Sequence, residues 1–380
     1  MSHYSVLVIG ENVEEQLAPF HEFECTGDDN EYVQDVDDTE EARESYKADK
    51  TTMYKDPDGN LHSPWTKEGH AKSEFYRDPT PKEEKEREET GYSNLSCTSQ
   101  DWGDGRGYRD RIKCLPEGWQ EVEVLTSSVE TFAEFIKGYY GHEPVAFGES
   151  PDLDETHKYG YVILDEKGEV VRSINRTNPN KKWDWWTLGG RWNGFFKTKK
   201  AGVGVMGAPG LQSAHEDYEP PTDDRADVCT KDDIDIDGMR DEAEREAGKS
   251  YDLYSKIVAG LPPIVSWEAT VEKHNKDYAA AREEYNAQPA VLVLRKNEET
   301  TWYDADDYLC SREVFIQRSR NAAFSTFAVV KDGKWYERGE MGWWGVVRDE
   351  KDADEWYTQF ASLVDSLPGD TVMTVVDCHI

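Results

Sequence analysis

Thr326-Phe327-Ala328-Val329-Val330-Lys331-Asp332-Gly333-Lys334-Trp335-Tyr336 is the stretch that decides the fold class. Two β-branched and aromatic runs flank an Asp-Gly pair, and that pair suits the type I′ turn of a tight antiparallel hairpin. A second hairpin is spelled the same way, with strands at Tyr159 to Leu164 and Glu169 to Ile174 around Asp165-Glu166-Lys167-Gly168. Working outward, Tyr4 to Ile9 reads as a first strand ending at Gly10, Thr371 to His379 as a last one, and Ala290 to Leu294 as a short apolar strand. Helical spacing appears in Val129, Phe132, Phe135, Ile136 and Tyr139 behind a Ser127 or Ser128 cap, over about 238–258 and 268–287, and in Trp356, Phe360, Leu363, Val364 and Leu367. Hairpins without regular βαβ alternation predict an α+β fold, a largely antiparallel sheet with packed helices. Chain termini often lie close together, so the first and last strands are expected to be neighbours. That pairing would bring His3 toward Asp377 and His379.

Residues 1–200 are expected to form one α+β region carrying a loop-rich, acidic, partly mobile insertion at about 25–115. The glycine-rich connector Ala201 to Gly210 then leads into a second α+β region, 211–380, completing the same core.

A hydrophobic content of 37% with 13 Trp, 20 Tyr and 12 Phe is enough to build an aromatic core and argues against wholesale disorder. No run approaches the roughly 20 apolar residues that span a bilayer, so no membrane association is expected. The six cysteines are scattered without a C-x-x-C pair, which reads as reduced thiols in a cytoplasm. A net charge of −35 repels phosphate backbones and excludes general nucleic-acid binding. The acids are concentrated in 11–44 and 216–246, and a basic stretch interrupts them: Arg172 to Lys200 holds eight bases against the single acid Asp184.

Within that stretch runs Trp183-Asp184-Trp185-Trp186-Thr187-Leu188-Gly189-Gly190-Arg191-Trp192. Gly189 and Gly190 allow left-handed backbone and close approach by a ligand. Arg191 can grip a phosphate or carboxylate through parallel hydrogen bonds, and the flanking Trp faces can stack on a base or sugar. The competing reading fills a core with Trp183, Trp185, Trp186 and Trp192. A second aromatic group, Trp335 to Gly345, surrounds Glu340, either a base or metal ligand beside the histidines or a solvated carboxylate at a hairpin end.

At the other end of the chain, Asp377-Cys378-His379 places a carboxylate and an imidazole on one face of a strand and the thiol on the other. His3, Glu340, Asp377 and His379 are therefore the candidate acids, bases or metal ligands. Asp233, Asp235, Asp237 and Glu244 fit the spacing of an EF-hand calcium loop, D-x-[DN]-x-[DN]-G-x₅-E, which would take Ca²⁺ or another divalent cation. Against it, Arg240 stands where that loop carries an apolar residue, and the acids also suit the N-terminus of a helix capped by Asp237. No Walker A loop, dinucleotide-binding glycine motif, nucleophile elbow or H-E-x-x-H is present.

Three segments together resemble a widespread family of uncharacterised tailed-bacteriophage and prophage proteins. They are Met1 to Gly10 running into Glu14-Glu15-Gln16-Leu17-Ala18-Pro19-Phe20, the W-D-W-W-x-x-G-G-R-W stretch at 183–192, and Thr374-Val375-Val376-Asp377-Cys378-His379-Ile380. Asp233 to Glu246 and Gly333 to Gly345 look like further shared segments. The resemblance implies a non-virion accessory protein in the cytoplasm of an infected bacterium, concerned with host takeover or anti-defence, and brings no assigned activity. The expected partner is a host protein or a polar or phosphorylated small ligand. A hydrolase or nuclease-like enzyme on nucleotides and an acidic nucleic-acid mimic are the alternatives.

Overall fold

A computed structural model of the protein describes residues 2–64, 75–90, 97–101, 108–215, 218–297, 300, 303–342 and 345–380. The fold is α+β, and the chain forms two compact units, one made of residues 1–32 with 178–380 and the other of residues 33–177. The boundary expected at Ala201 to Gly210 does not separate them.

The first unit is built on a seven-stranded sheet. Its strands are β1 (His3–Ile9), β2 (Trp185–Gly190), β3 (Ala208–Pro209), β4 (Val228–Thr230), β5 (Ala328–Lys331), β6 (Lys334–Glu337) and β7 (Val372–His379). Their order is β3-β2-β7-β1-β5-β6, and β4 pairs with the N-terminal half of β7 while β2 pairs with its C-terminal half. Pairing is antiparallel except between β1 and β5 and between β2 and β3. The β5–β6 turn has Asp332 at φ 51° and Gly333 at φ 67°, the two positive values a type I′ turn demands. β1 and β7 pair along their whole length, from His3 opposite His379 to Ile9 opposite Met373.

Alternation along β1 and β7 sends side chains to two different cores. Leu7, Ile9, Met373 and Val375 pack on one face against Trp356, Phe360 and Val364 of a helix at Ala353–Ser366. Burying each of these large side chains contributes about 1.5–3 kcal/mol. Tyr4, Val6, Val8, Val376 and Cys378 face the other way, onto Leu17, Phe20 and Trp183. On the first face, His3 and Asp377 continue the row beyond the apolar residues, so the C-terminal end of β7 carries a polar patch.

Two helical expectations changed. Ala290 to Leu294 is not a strand but part of a helix, Pro289–Lys296. Pro289 starts it and Ala290, Val291 and Leu294 are its buried face; a five-residue apolar run fits either element until its flanks are weighed. The helix expected over 268–287 is two, Trp267–Lys273 and Tyr278–Ala287, broken where Asn275 and Lys276 take positive φ. No helix among the described residues is long and apolar enough to cross a membrane.

The second unit is more regular than a loop-rich insertion at 25–115. Lys50–Lys55 pairs with Gln120–Leu125, and Gln34–Asp37 with Val170–Thr177, so strands inside the expected insertion are tied to strands beyond it. Thr39–Ala48 and Phe132–Tyr139 place Ala42, Phe135 and Ile136 around Val162. The second of these helices is capped by Thr131, in a capping box with Glu134, and not by Ser127 or Ser128.

Candidate functional site

His3, His379 and Trp185 stand side by side on three adjacent strands. Ser2 and Ile380 exchange both backbone hydrogen bonds, at 3.0 and 3.1 Å, which makes the next pair, His3 and His379, a non-hydrogen-bonded one. Side chains approach most closely at such pairs. The two imidazole rings lie edge to face with centroids 5.0 Å apart. The Trp185 indole lies nearly parallel to His379 at 5.0 Å and 17°, and edge-on to His3 at 5.3 Å.

Each imidazole is held by its own carboxylate. His3 Nδ1 donates to Asp377 Oδ1 at 2.9 Å. His379 Nδ1 lies 2.7 and 2.9 Å from the two oxygens of Asp184, and Asp184 Oδ1 also accepts the Trp185 backbone N–H at 2.7 Å. A ring held at Nδ1 by a carboxylate leaves Nε2 as its second polar atom, and neither Nε2 is hydrogen-bonded to a described residue, although His379 is buried and His3 nearly so. Asp377 is only 1% exposed, and its second oxygen accepts the Arg191 backbone N–H at 2.9 Å. One buried carboxylate therefore orients a histidine and the start of the loop that carries Arg191.

That loop depends on two glycines and a second buried acid. Gly189 and Gly190 have φ of 76° and 55°, and a Cβ on Gly190 would lie 2.4 Å from Asp377 Cβ. Asp227, 0% exposed, accepts backbone N–H groups from Gly194 at 2.7 Å, Phe195 at 3.0 Å and Gly207 at 2.8 Å, and the Asn193 side-chain amide at 2.8 Å. Four donors satisfy this charge and clamp the segment just after Arg191. Asp227 escaped the sequence reading because a lone acid within Ala226-Asp227-Val228 carries no motif. Asp184 stood in view as the single acid among eight bases, which was its only signal.

The basic stretch is much less positive in three dimensions than in one. Lys181 pairs with Glu22 and Glu24 at 3.0 and 2.7 Å, Lys182 with Glu337 at 2.7 Å, Arg172 with Asp37 at 2.8 Å and Arg176 with Asp35 at 3.1 Å. Arg191 is exposed, and its guanidinium has no ion pair among the described residues.

The tryptophans divide between the two readings. Trp183 is buried, with its indole N–H donating to the Leu17 carbonyl at 3.2 Å, and Trp186 packs on the same core. Trp192 packs on the opposite core. Those three are structural, whereas Trp185, 43% exposed, is the one at the histidines.

Glu340 does not join the cluster by any hydrogen bond. It is exposed and pairs across a short ladder with Arg348. Trp343 and Trp344, from the same aromatic group, lie outside the described residues. Cys378 is fully buried on the other face, where burial pushes its thiol well above the ordinary range, so it offers no nucleophile here.

The EF-hand spacing does not close into a loop. A helix begins at Ile236, and Asp235 caps it by accepting the Gly238 N–H at 3.1 Å; the cap is two residues earlier than Asp237. Asp233 accepts the Thr230 hydroxyl at 2.7 Å, and Glu244 pairs with Arg320 at 3.1 Å. Asp233, Asp235 and Glu244 thus serve three separate partners, the first two ahead of the helix and the third within it. Among the described residues no three His, Cys, Asp or Glu side chains are grouped to hold a metal ion.

No family model, no curated protein and no solved structure matches the chain.

Proposed function

We propose that the chain binds a small phosphorylated ligand at the His3–His379–Arg191 cluster, with the exposed indole of Trp185 contributing an aromatic face. The observation that carries this reading is the double role of Asp377. It holds the His3 ring through one oxygen and the Arg191 backbone N–H through the other, so His3 and the loop that carries Arg191 share one rigid anchor. Protonated imidazole and guanidinium are charge-assisted donors suited to phosphate oxygens. Trp185 suits a ligand whose phosphate is attached to a ring, such as a nucleoside monophosphate. The strongly acidic remainder of the chain favours a small anion over a polyanion.

The setting that accompanies this reading is an accessory protein of an infected bacterial cytoplasm, resting on the resemblance of the opening, central and closing segments to phage and prophage proteins. Calorimetry with adenosine monophosphate, adenosine and inorganic phosphate tests the binding. The monophosphate is expected to bind more tightly than either fragment, and Arg191→Ala to weaken it at least tenfold. Equal binding of adenosine and its monophosphate, or no effect of Arg191→Ala, would remove this site.

A further inference from the structure

We infer that the two carboxylate-held histidines form a general acid–base pair that cleaves a phosphodiester bearing a neighbouring hydroxyl, the chemistry of a short ribonucleotide. The inference rests on the phosphate-binding reading of the same site and adds a reaction to it.

Each ring has what a proton-transfer catalyst needs. Its Nδ1 is fixed by a carboxylate at hydrogen-bond distance, which sets the orientation and the tautomer, and its Nε2 has no hydrogen bond to a described residue. Two such rings with centroids 5.0 Å apart can serve two oxygens of one phosphorus centre. A single structural histidine would need neither the second carboxylate nor the second ring.

The attacking oxygen is assigned to the substrate. Cys378 points away from this face and is fully buried. Ser5, in the next row, is also buried, and its hydroxyl accepts the Phe327 N–H at 3.3 Å. A vicinal hydroxyl on the substrate is held near phosphorus by its own covalent frame, which gives it a high effective concentration without a water-positioning residue.

The step balances without any co-reactant. One neutral imidazole takes the proton of the 2′-hydroxyl at Nε2 while the 2′-oxygen forms a bond to phosphorus. The bond from phosphorus to the 5′-oxygen breaks, and the other, protonated imidazole gives its Nε2 proton to that departing oxygen. The products are a 2′,3′-cyclic phosphate and a free 5′-hydroxyl; the two histidines exchange protonation states and are reset through solvent. Arg191 neutralises the charge that accumulates on the non-bridging oxygens, and Trp185 offers its open face to a base.

The test uses the full chain with a ribodinucleotide in the presence of EDTA, following formation of the cyclic phosphate. Wild type is expected to cleave it, and His3→Ala and His379→Ala each to lower the rate by about 10²–10⁴. A substrate with sulfur in place of the bridging 5′-oxygen leaves without needing a proton. It should rescue one of the two histidine variants and not the other, and rescue also shows that the variant is folded. Rescue of both or neither, cleavage of the 2′-deoxy dinucleotide at the same rate, or loss of activity in EDTA would overturn the inference. Tight binding of the 2′-deoxy dinucleotide with no cleavage of the ribose form would sink the catalytic step alone; absence of binding would sink the phosphate site as well.

Discussion

Asp377 and His3 are joined by a 2.9 Å hydrogen bond between residues 374 positions apart, on strands that pair over their whole length. The same carboxylate accepts the Arg191 N–H, so three distant pieces of chain meet at one buried charge. Placing that charge so deeply is costly unless every lone pair is used, and here both oxygens are.

Asp377→Asn keeps the shape but puts an amide where one oxygen must accept. Either His3 or Arg191 then faces a donor. Unfolding in urea is expected to show a loss of about 1–3 kcal/mol, together with weakened binding of adenosine monophosphate. An unchanged urea midpoint would mean that Asp377 is not the shared anchor.

Gly190→Ala should be worse tolerated than most surface changes. Its φ of 55° disfavours a side chain and the new Cβ would fall 2.4 Å from Asp377 Cβ. Left-handed strain and the clash together predict a stability loss of about 1–3 kcal/mol, read as a lower melting temperature. Ligand affinity should fall with it because the Arg191 loop must shift.

Much of this arrangement was legible in the sequence. The Asp332-Gly333 turn fixed a hairpin, and strict alternation in Asp377-Cys378-His379 put the carboxylate and imidazole on one face before any pairing was known. Asp184 was harder to see as a partner of His379, since it precedes β2 and reaches across from the neighbouring strand. Asp227 could not be found from spacing at all, because its four donors come from Asn193 to Phe195 and from Gly207. The error at Ala290 to Leu294 had a different origin: short apolar runs carry no period long enough to separate a strand from a buried helix turn.

Cys229 gives a pH test of the sheet core. Burial, reinforced by the nearby Asp233 and Asp227 charges, pushes its thiol up from about 9 to about 12. The folded state therefore keeps this proton while the unfolded chain loses it. Stability attributable to Cys229 is fully present below pH 9 and is lost as pH rises toward 12. Cys229→Ala should flatten the fall of the urea midpoint across that window; an identical slope in wild type and variant would contradict the burial.

Asp235 caps the helix that begins at Ile236. Asp235→Ala is expected to cost about 1 kcal/mol, and millimolar calcium should leave the melting temperature of wild type and variant unchanged. A calcium-dependent rise in the wild type that the variant lacks would restore the EF-hand interpretation.

The most direct measurement is an NMR titration of the histidine side-chain nitrogens with adenosine monophosphate. Phosphate recognition by this cluster predicts that the Nε2 signals of His3 and His379 and the indole N–H of Trp185 move together along one saturating curve, and that Arg191→Ala shifts that curve at least tenfold to higher ligand concentration. Histidine signals that stay fixed while the ligand binds elsewhere, or that respond identically in Arg191→Ala, would contradict it.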